Sequence, residues 1–129
     1  MIIVDSSVWI DYFNGTLTPQ TDRLDILLSQ QLIGTGDLIL AEVLQGFRED
    51  KDYQIALQLF QSLQFYNMLS KKLALQTAQN YRFLRKQGVT VGKTIDVMIG
   101  TFCIENDFSL LHSDKDFDKM LVLGLKIEK

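Results

Sequence analysis

The sequence predicts an α/β fold in which a mostly parallel sheet is flanked by helices on both faces. Short apolar, strand-like runs alternate along the chain with helical patterns of ten or more residues. Strands that alternate with such helices form βαβ units, because a parallel pair of strands needs a crossover connection. The 129 residues contain one proline, and no linker, repeat or low-complexity segment interrupts them. We therefore expect one domain over residues 1–129.

Five short apolar runs are the predicted strands. Polar or glycine residues bound each run, and each run is too short for a helix. The runs cover residues 2–4, 32–34, 64–68, 110–111 and 121–127. If these strands are parallel, their carboxyl ends meet at one edge of the sheet.

Helical periodicity and helix-end signals place helices between the strands. The first long helix begins where the hydroxyl of Thr18 precedes a proline, and Gly88 ends another as a left-handed stop. Asp37 is the predicted N-cap of its helix. The predicted helices cover residues 7–13, 19–29, 37–47, 52–63, 70–87 and 94–105.

Composition excludes several classes of protein. With 47% apolar and 22% charged residues, the chain is far from the composition of disordered proteins. No apolar stretch is long enough for a membrane span, and the chain begins with a strand-like run instead of a basic leader. Cys103 is the only cysteine, within an apolar helical pattern, so we expect a buried thiol and a reducing, cytoplasmic location. The net charge of -3 restricts any RNA contact to a local patch.

Four acidic residues stand out because each interrupts or borders an apolar segment. Asp5 directly follows the first predicted strand, and Asp114 follows the strand at 110–111 closely. The carboxyl ends of parallel strands are where open α/β sheets bind ligands. Glu42 and Asp96 lie on predicted helices at the border of the apolar stripe, and Asp96 is in the first turn. The pattern therefore predicts one cleft for all four carboxylates.

Each of these residues also has an ordinary structural interpretation. Asp5 is equally suited to cap the first helix, and Glu42 to be a solvated flank residue. Asp96 could be a partner of the helix dipole and Asp114 a turn former. Four carboxylates in one cleft would instead repel one another unless cations neutralise them. An all-oxygen site of this kind selects Mg²⁺ or Mn²⁺, whereas zinc prefers His or Cys.

The four acidic residues lie in four segments, IVDSSVWID at 3–11, LAEVLQGFR at 40–48, TIDVMIG at 94–100 and LLHSDKDF at 110–117. In succession these segments resemble the signatures of PIN-domain nucleases, in particular VapC-type toxins of type II toxin–antitoxin pairs. Each segment is a weak signal by itself, but the four occur in the order and spacing of the family. The resemblance spans essentially the whole chain.

The resemblance implies a PIN-like, Rossmann-like sheet, RNA cleavage, a homodimer and silencing by a small antitoxin. It also implies that Mg²⁺, with Mn²⁺ able to substitute, is held by the family's acidic quartet. The residues that match the quartet are Asp5, Glu42, Asp96 and Asp114. Ser7 matches a hydroxyl that supports the metal site, and Asp116 is a further candidate ligand, so the fourth acid is either Asp114 or Asp116. His112 stands where many relatives carry threonine.

The sequence therefore predicts a cytoplasmic, magnesium-dependent endoribonuclease that hydrolyses RNA phosphodiester bonds with a metal-activated water. One alternative is a phospho-receiver-like signalling domain, which fits poorly because Asp5 is followed by Ser6 and Ser7 instead of a second acid. The other is an inactive PIN-shaped binding module. The RNA target, the antitoxin and the number of metal ions stay open.

Several other residues have two interpretations at this stage. Lys93 and Lys115 are candidate RNA contacts because they are adjacent to quartet positions. His112, the only histidine, is a candidate general base, but a packed or hydrogen-bonded ring is the favoured interpretation. Six apolar residues are predicted to form a dimer or antitoxin surface, although Trp9, Tyr12 and Phe13 among them could also stack bases or pack on the sheet. The set is Trp9, Tyr12, Phe13, Val43, Leu44 and Phe47.

Overall fold

The computed structural model describes all residues, 1–129, and confirms the α/β fold with a parallel sheet. Five strands lie in the order β3-β2-β1-β4-β5, and every neighbouring pair is parallel. The strands are β1 Ile2–Val4, β2 Ile33–Gly36, β3 Gln64–Tyr66, β4 Ser109–Leu111 and β5 Lys126–Ile127. Because all five run the same way, the carboxyl ends of β1 and β4 are neighbours at one edge.

Six α-helices and one 3₁₀ helix connect the strands. The α-helices are α1 Ser6–Phe13, α2 Pro19–Ser29, α3 Asp37–Leu44, α4 Asp50–Gln61, α5 Lys71–Lys86 and α6 Thr94–Glu105. The 3₁₀ helix covers Lys115–Leu123. The chain moves from β1 to β3 in one direction across the sheet and from β3 through β4 to β5 in the other. Because parallel crossovers are right-handed, this order puts α1 to α4 on one face and α5 and α6 on the other. None of these helices is both long and apolar enough to span a membrane.

Helix ends follow the predicted capping chemistry in most places. Thr18 caps α2 and forms a capping box with Thr21, and Ser70 caps α5 by accepting from the Leu73 amide. Gly88, just after α5, has a φ of +77°, as expected for a left-handed helix stop. The bounds of α6 are those predicted.

The prediction that Asp37 caps α3 is wrong, because Gly36 occupies the cap position. The Asp37 carboxylate instead accepts from the backbone amides of Met68 and Leu69, at 2.8 and 3.2 Å, and so ties the segment after β3 to α3. The helix also ends at Leu44, three residues before the predicted end.

The predicted strand over 121–127 is also wrong in most of its length. Residues up to Leu123 belong to the 3₁₀ helix, and only Lys126–Ile127 pair with β4. Phe117 and Met120, one helical turn apart, are both fully buried, so this segment reaches the core with helical spacing. Gly124, with a φ of +97°, ends the helix.

A continuous core of 25 buried apolar residues lies on both faces of the sheet. Trp9 is fully buried and packs against Phe60, with ring centroids 4.8 Å apart. Val43 is 2% exposed. These two members of the apolar set are therefore core residues, and they belong neither to a partner surface nor to a base-stacking platform. Cys103 is buried as predicted, and burial raises the pKa of its thiol.

Candidate metal centre

Asp5 lies where β1 ends, and it is both the cap of α1 and a buried acid. Its Oδ2 accepts from the Ser7 amide at 3.0 Å, so the capping interpretation is confirmed. The cap occupies one oxygen only, because Oδ1 is buried and has no hydrogen-bond partner. Burial raises the pKa of this carboxyl, with a smaller contribution from Asp114, against the opposing effect of hydrogen bonds from Ser7 and Ser6.

Asp96 is the third residue of α6 and is 4% exposed. Its Oδ2 is buried without a partner. Burial, followed by the charges of Asp5 and Asp114, raises the pKa of Asp96 to about 7, although Lys93 lowers it. A solvated dipole partner would keep an ordinary or lower pKa. The first-turn position is thus confirmed, but the environment of Asp96 is that of a carboxylate in need of a counter-charge.

Glu42 projects from α3 and is held by a residue that sequence reasoning missed. The Ser6 hydroxyl donates to Oε1 of Glu42 at 3.0 Å. Burial and the charge of Asp5 raise the pKa of Glu42, whereas Ser6 and Lys93 lower it. The only signal for Ser6 in the sequence is that it follows Asp5 at the start of a helix.

Ser7 contacts the chain after both β1 and β4, the two strands whose ends carry Asp5 and Asp114. Its Oγ accepts from the backbone amide of Ser113 at 3.2 Å, which joins α1 to the segment after β4. Its side chain also lowers the pKa of Asp5. Ser7 therefore positions both Asp5 and the segment that carries Asp114.

Asp114 and Asp116 both approach Asp96 but differ in how their oxygens are used. One carboxylate oxygen from each of the three residues lies within 4.8 Å of the others. Oδ1 of Asp114 accepts from the Asp116 amide at 3.0 Å. Asp116 uses both of its oxygens, with Oδ1 2.8 Å from Lys119 Nζ and Oδ2 3.2 Å from the Gly92 amide, and these contacts lower its pKa.

The two candidate RNA-binding lysines differ in their relation to the acids. Lys93 precedes α6, is exposed, and lowers the pKa values of Glu42 and Asp96, so its charge lies close to the cluster. Lys115 is also exposed, but it makes no ion pair with the acids. Lys119, which the sequence analysis did not single out, takes the position beside Asp116.

His112 is packed and hydrogen-bonded, as the favoured interpretation predicts. The residue is 8% exposed, and the centroid of its ring lies 5.1 Å from that of the Phe117 ring. Its Nδ1 accepts from the Asp114 amide at 3.2 Å. The imidazole is thus part of the support for Asp114.

Carboxylate oxygens dominate the cleft. Asp5, Glu42 and Asp96 each have a raised pKa, and Lys93 is the cation that partly offsets the increase at Glu42 and Asp96. The free oxygens of Asp5 and Asp96 are buried and lack hydrogen-bond donors, which is costly unless a proton or a cation is present. Oxygen donors without His or Cys suit a hard divalent cation.

Comparison with known proteins adds an independent set of observations. A family model described as PIN domain matches residues 2–121. Ribonuclease VapC11 of Mycobacterium tuberculosis is 29% identical over 120 residues, which is 92% of this chain and 90% of that protein. VapBC2 of Rickettsia felis, solved with a promoter DNA fragment, aligns over 99% of this chain and 98% of its own with a TM-score of 0.75 and 20% identity. The M. tuberculosis VapC20 structure, titled a Sarcin-Ricin loop cleaving toxin, aligns over 92% and 93% with a TM-score of 0.67 and 14% identity.

Proposed function

This chain belongs to the PIN-domain family, and from that premise we propose that it is a metal-dependent endoribonuclease that acts as the toxin of a toxin–antitoxin pair. The observation that carries the proposal is the pair of buried, unpartnered carboxylate oxygens on Asp5 and Asp96. Relatives that are named ribonucleases and toxins support the RNA substrate and the toxin role. Residues 1–129 would act as one nuclease unit in the cytoplasm, where RNA is accessible.

The residues of the cleft have distinct roles in this proposal. Asp5 and Asp96 are the principal metal ligands because each has a free, buried oxygen. Glu42 and Asp114 complete the quartet, either through water, at a second ion, or by orienting the attacking water. We place Asp114 ahead of Asp116 as the fourth acid, since both oxygens of Asp116 already have partners. Bound Mg²⁺, or Mn²⁺ in its place, would lower the pKa of water and neutralise charge on the phosphate.

The surrounding residues position these acids and receive the RNA. Ser6 orients Glu42, and Ser7 joins Asp5 to the segment after β4. Lys93 lies at the rim with its ammonium near the acids, where it can contact a backbone phosphate. Lys115, which is exposed and lies between Asp114 and Asp116 in the chain, is the second proposed RNA contact. A local contact of this kind is what a chain of net charge -3 requires.

Family membership removes the phospho-receiver alternative, because the PIN model matches nearly the whole chain. The remaining alternative is an inactive PIN-shaped module. Its main weakness is that all four acids are present and three of them have raised pKa values in one cleft. Measurements of RNA cleavage distinguish an active nuclease from an inactive module.

We expect RNA cleavage by the purified chain to require Mg²⁺ or Mn²⁺. Excess EDTA should reduce cleavage to background, and added Mg²⁺ should restore it, because the quartet offers only hard oxygen ligands. Zn²⁺ should not restore it. The measurement is gel analysis of a structured RNA pool after incubation with each ion. Undiminished cleavage in EDTA would refute the metal mechanism, and no cleavage with any ion would favour the inactive module.

We also expect a homodimer that a small protein partner neutralises. The VapBC2 structure supports a protein partner. The predicted apolar contact surface cannot include Trp9 and Val43, because both are core residues. Apolar side chains that do remain exposed include Leu17 at 87% and Val122 at 64%. Light scattering should give the mass of two chains, and co-expression with the product of the adjacent gene should abolish toxicity. A monomer at micromolar concentration that no neighbouring product inhibits would contradict both expectations.

A further inference from the structure

A cavity of about 340 Å³ lies beside the acidic cluster, at the carboxyl ends of β4 and β5. Leu111 and His112 of the β4 side, Glu128 after β5, and the first turn of α2 contribute to its wall. Its size is at the lower end of the range for small-ligand pockets. Because β1, β4 and β5 are parallel, the cavity opens at the same sheet edge as Asp5 and Asp114.

The imidazole of His112 connects the cavity to the acidic cluster. Its Nδ1 accepts from the Asp114 amide, so in the neutral ring the proton resides on Nε2. The side chain is 7% exposed, and Nε2 is buried without a hydrogen-bond partner. Oδ1 of Asp118 lies 3.2 Å away but is not aligned to accept the proton, and the Asp118 side chain is 57% exposed and free to turn. A buried donor left unpaired is costly and indicates an acceptor supplied from outside.

The other polar groups of the wall mix donors with acceptors. Gln20 offers an amide that both donates and accepts, and Arg23 is held by Glu128 through contacts of 3.0 and 2.6 Å. Asp118 adds a carboxylate and Lys129 an ammonium, so the carboxylates of Asp118 and Glu128 balance the cations of Arg23 and Lys129. A wall without net positive charge does not favour the binding of a phosphate group. The edge of a nucleobase presents donors and acceptors together, and unstacked bases of single-stranded RNA are recognised by such edges.

We propose that this cavity, which we call the base pocket, binds the base of a nucleotide next to the scissile phosphate of single-stranded RNA and so sets the base preference of cleavage. The proposal rests on the proposed ribonuclease function. His112 is the specificity residue because it lines the pocket, with its buried Nε2 3.2 Å from Asp118 of the same wall. A turn of the exposed Asp118 carboxylate would open Nε2 to a base. The Nδ1 atom accepts from the Asp114 amide, so the imidazole lies between the pocket and the segment that carries Asp114, which suits a nucleotide next to the scissile phosphate.

A binding test can be made without catalysis. His112 is the only histidine, so in tag-free protein its imidazole NMR signals are resolved from all others and report on the wall of the pocket. Metal-free protein is titrated with AMP, GMP, CMP, UMP and, separately, inorganic phosphate. We expect at least one nucleotide to shift the imidazole signals in a saturable way and phosphate to leave them in place. No shift with any nucleotide at millimolar concentration, or the same shift with phosphate, would overturn the base pocket.

A cleavage test uses two pocket variants and a matched control. His112→Asn keeps an acceptor near the Nδ1 position but removes the Nε2 donor, and Gln20→Ala removes the amide. Gln58→Ala, on the exposed side of α4, is the control. In a degenerate RNA pool, the preference for the favoured flanking base should fall by about tenfold or more in both pocket variants and persist in the control.

The two tests separate the pocket from the nuclease function. A preference that is unchanged in both pocket variants, or a wild type that cleaves without base preference, would overturn the pocket while leaving the nuclease intact. A wild type that cleaves no RNA with any metal would refute the proposed function, and the nucleotide titration would then decide the pocket by itself.

Discussion

Replacing Asp96 with asparagine should abolish RNA cleavage and leave the metal-free protein as stable as the wild type or more stable. Removing a ligand that acts on the transition state costs roughly 100- to 1,000-fold in rate. Stability should move in the opposite direction, because the carboxylate is 4% exposed, lies near Asp5 and Asp114, and has a free, unsolvated oxygen. The neutral amide removes that repulsion and that desolvation cost.

The matched control is Asp22→Asn, because Asp22 is an exposed aspartate in the first turn of α2. It should remain fully active and lose roughly 0.3–1 kcal/mol as a helix-dipole partner. Cleavage assays and melting curves with and without Mg²⁺ on all three proteins complete the comparison. Added Mg²⁺ should stabilise the wild type and Asp22→Asn more than Asp96→Asn. An active and destabilised Asp96→Asn protein would remove this residue from the site.

The acids at the sheet edge were predictable because their position depends on local pattern. A carboxylate directly after a buried run, such as Asp5 after β1, can only lie at a strand end. Asp96 could be placed because α6 has the periodicity of a buried helix from Thr94 to Glu105 and an acid interrupts its first turn. The sequence pattern did not predict that Asp5 both caps α1 and keeps a free oxygen. That outcome depends on the structure, in which Oδ2 accepts from the Ser7 amide and Oδ1 has no partner.

Contacts between distant segments were beyond sequence reasoning. The hydrogen bond from Ser6 to Glu42 joins residues that are 36 positions apart, and the Arg23 to Glu128 contact spans 105. No local pattern encodes either of them. The base pocket was missed for the same reason, because its wall combines α2, β4 and the residue after β5.

The segment before β5 shows how tertiary packing overrides local propensity. Residues 121–123 are apolar and β-compatible, yet Leu121 and Val122 are 53% and 64% exposed and belong to a 3₁₀ helix. The burial of Phe117 and Met120 and the capping contact from Asp114 stabilise the helical path. The same helix carries Asp116, which the sequence analysis named, and Asp118, which it did not.

The metal-free protein should be more stable at pH 5.5 than at pH 8. Asp96 has a folded-state pKa of about 7 against an ordinary value of 3.8, so the folded state holds its proton more tightly than the unfolded state does. A raised carboxyl pKa gives stability that is fully present below the ordinary pKa and is lost as the pH rises through the folded value. Between pH 5.5 and 8 the loss from Asp96 is about 2 kcal/mol, and Asp5 and Glu42 act in the same direction.

Bound Mg²⁺ should reverse this trend, because the ion competes with protons for the same oxygens and binds the deprotonated acids more tightly. Urea unfolding of the wild type, Asp96→Asn and Asp22→Asn at both pH values, in EDTA and in Mg²⁺, measures the effect. Groups outside the cleft that titrate in this range are common to all three proteins, so the difference between wild type and Asp96→Asn measures this carboxyl together with its coupling to Asp5 and Glu42. If metal-free Asp96→Asn loses as much stability as the wild type between the two pH values, Asp96 is not the proton-binding acid of the cleft. In that case its buried oxygen does not need the cation that the proposed function places there.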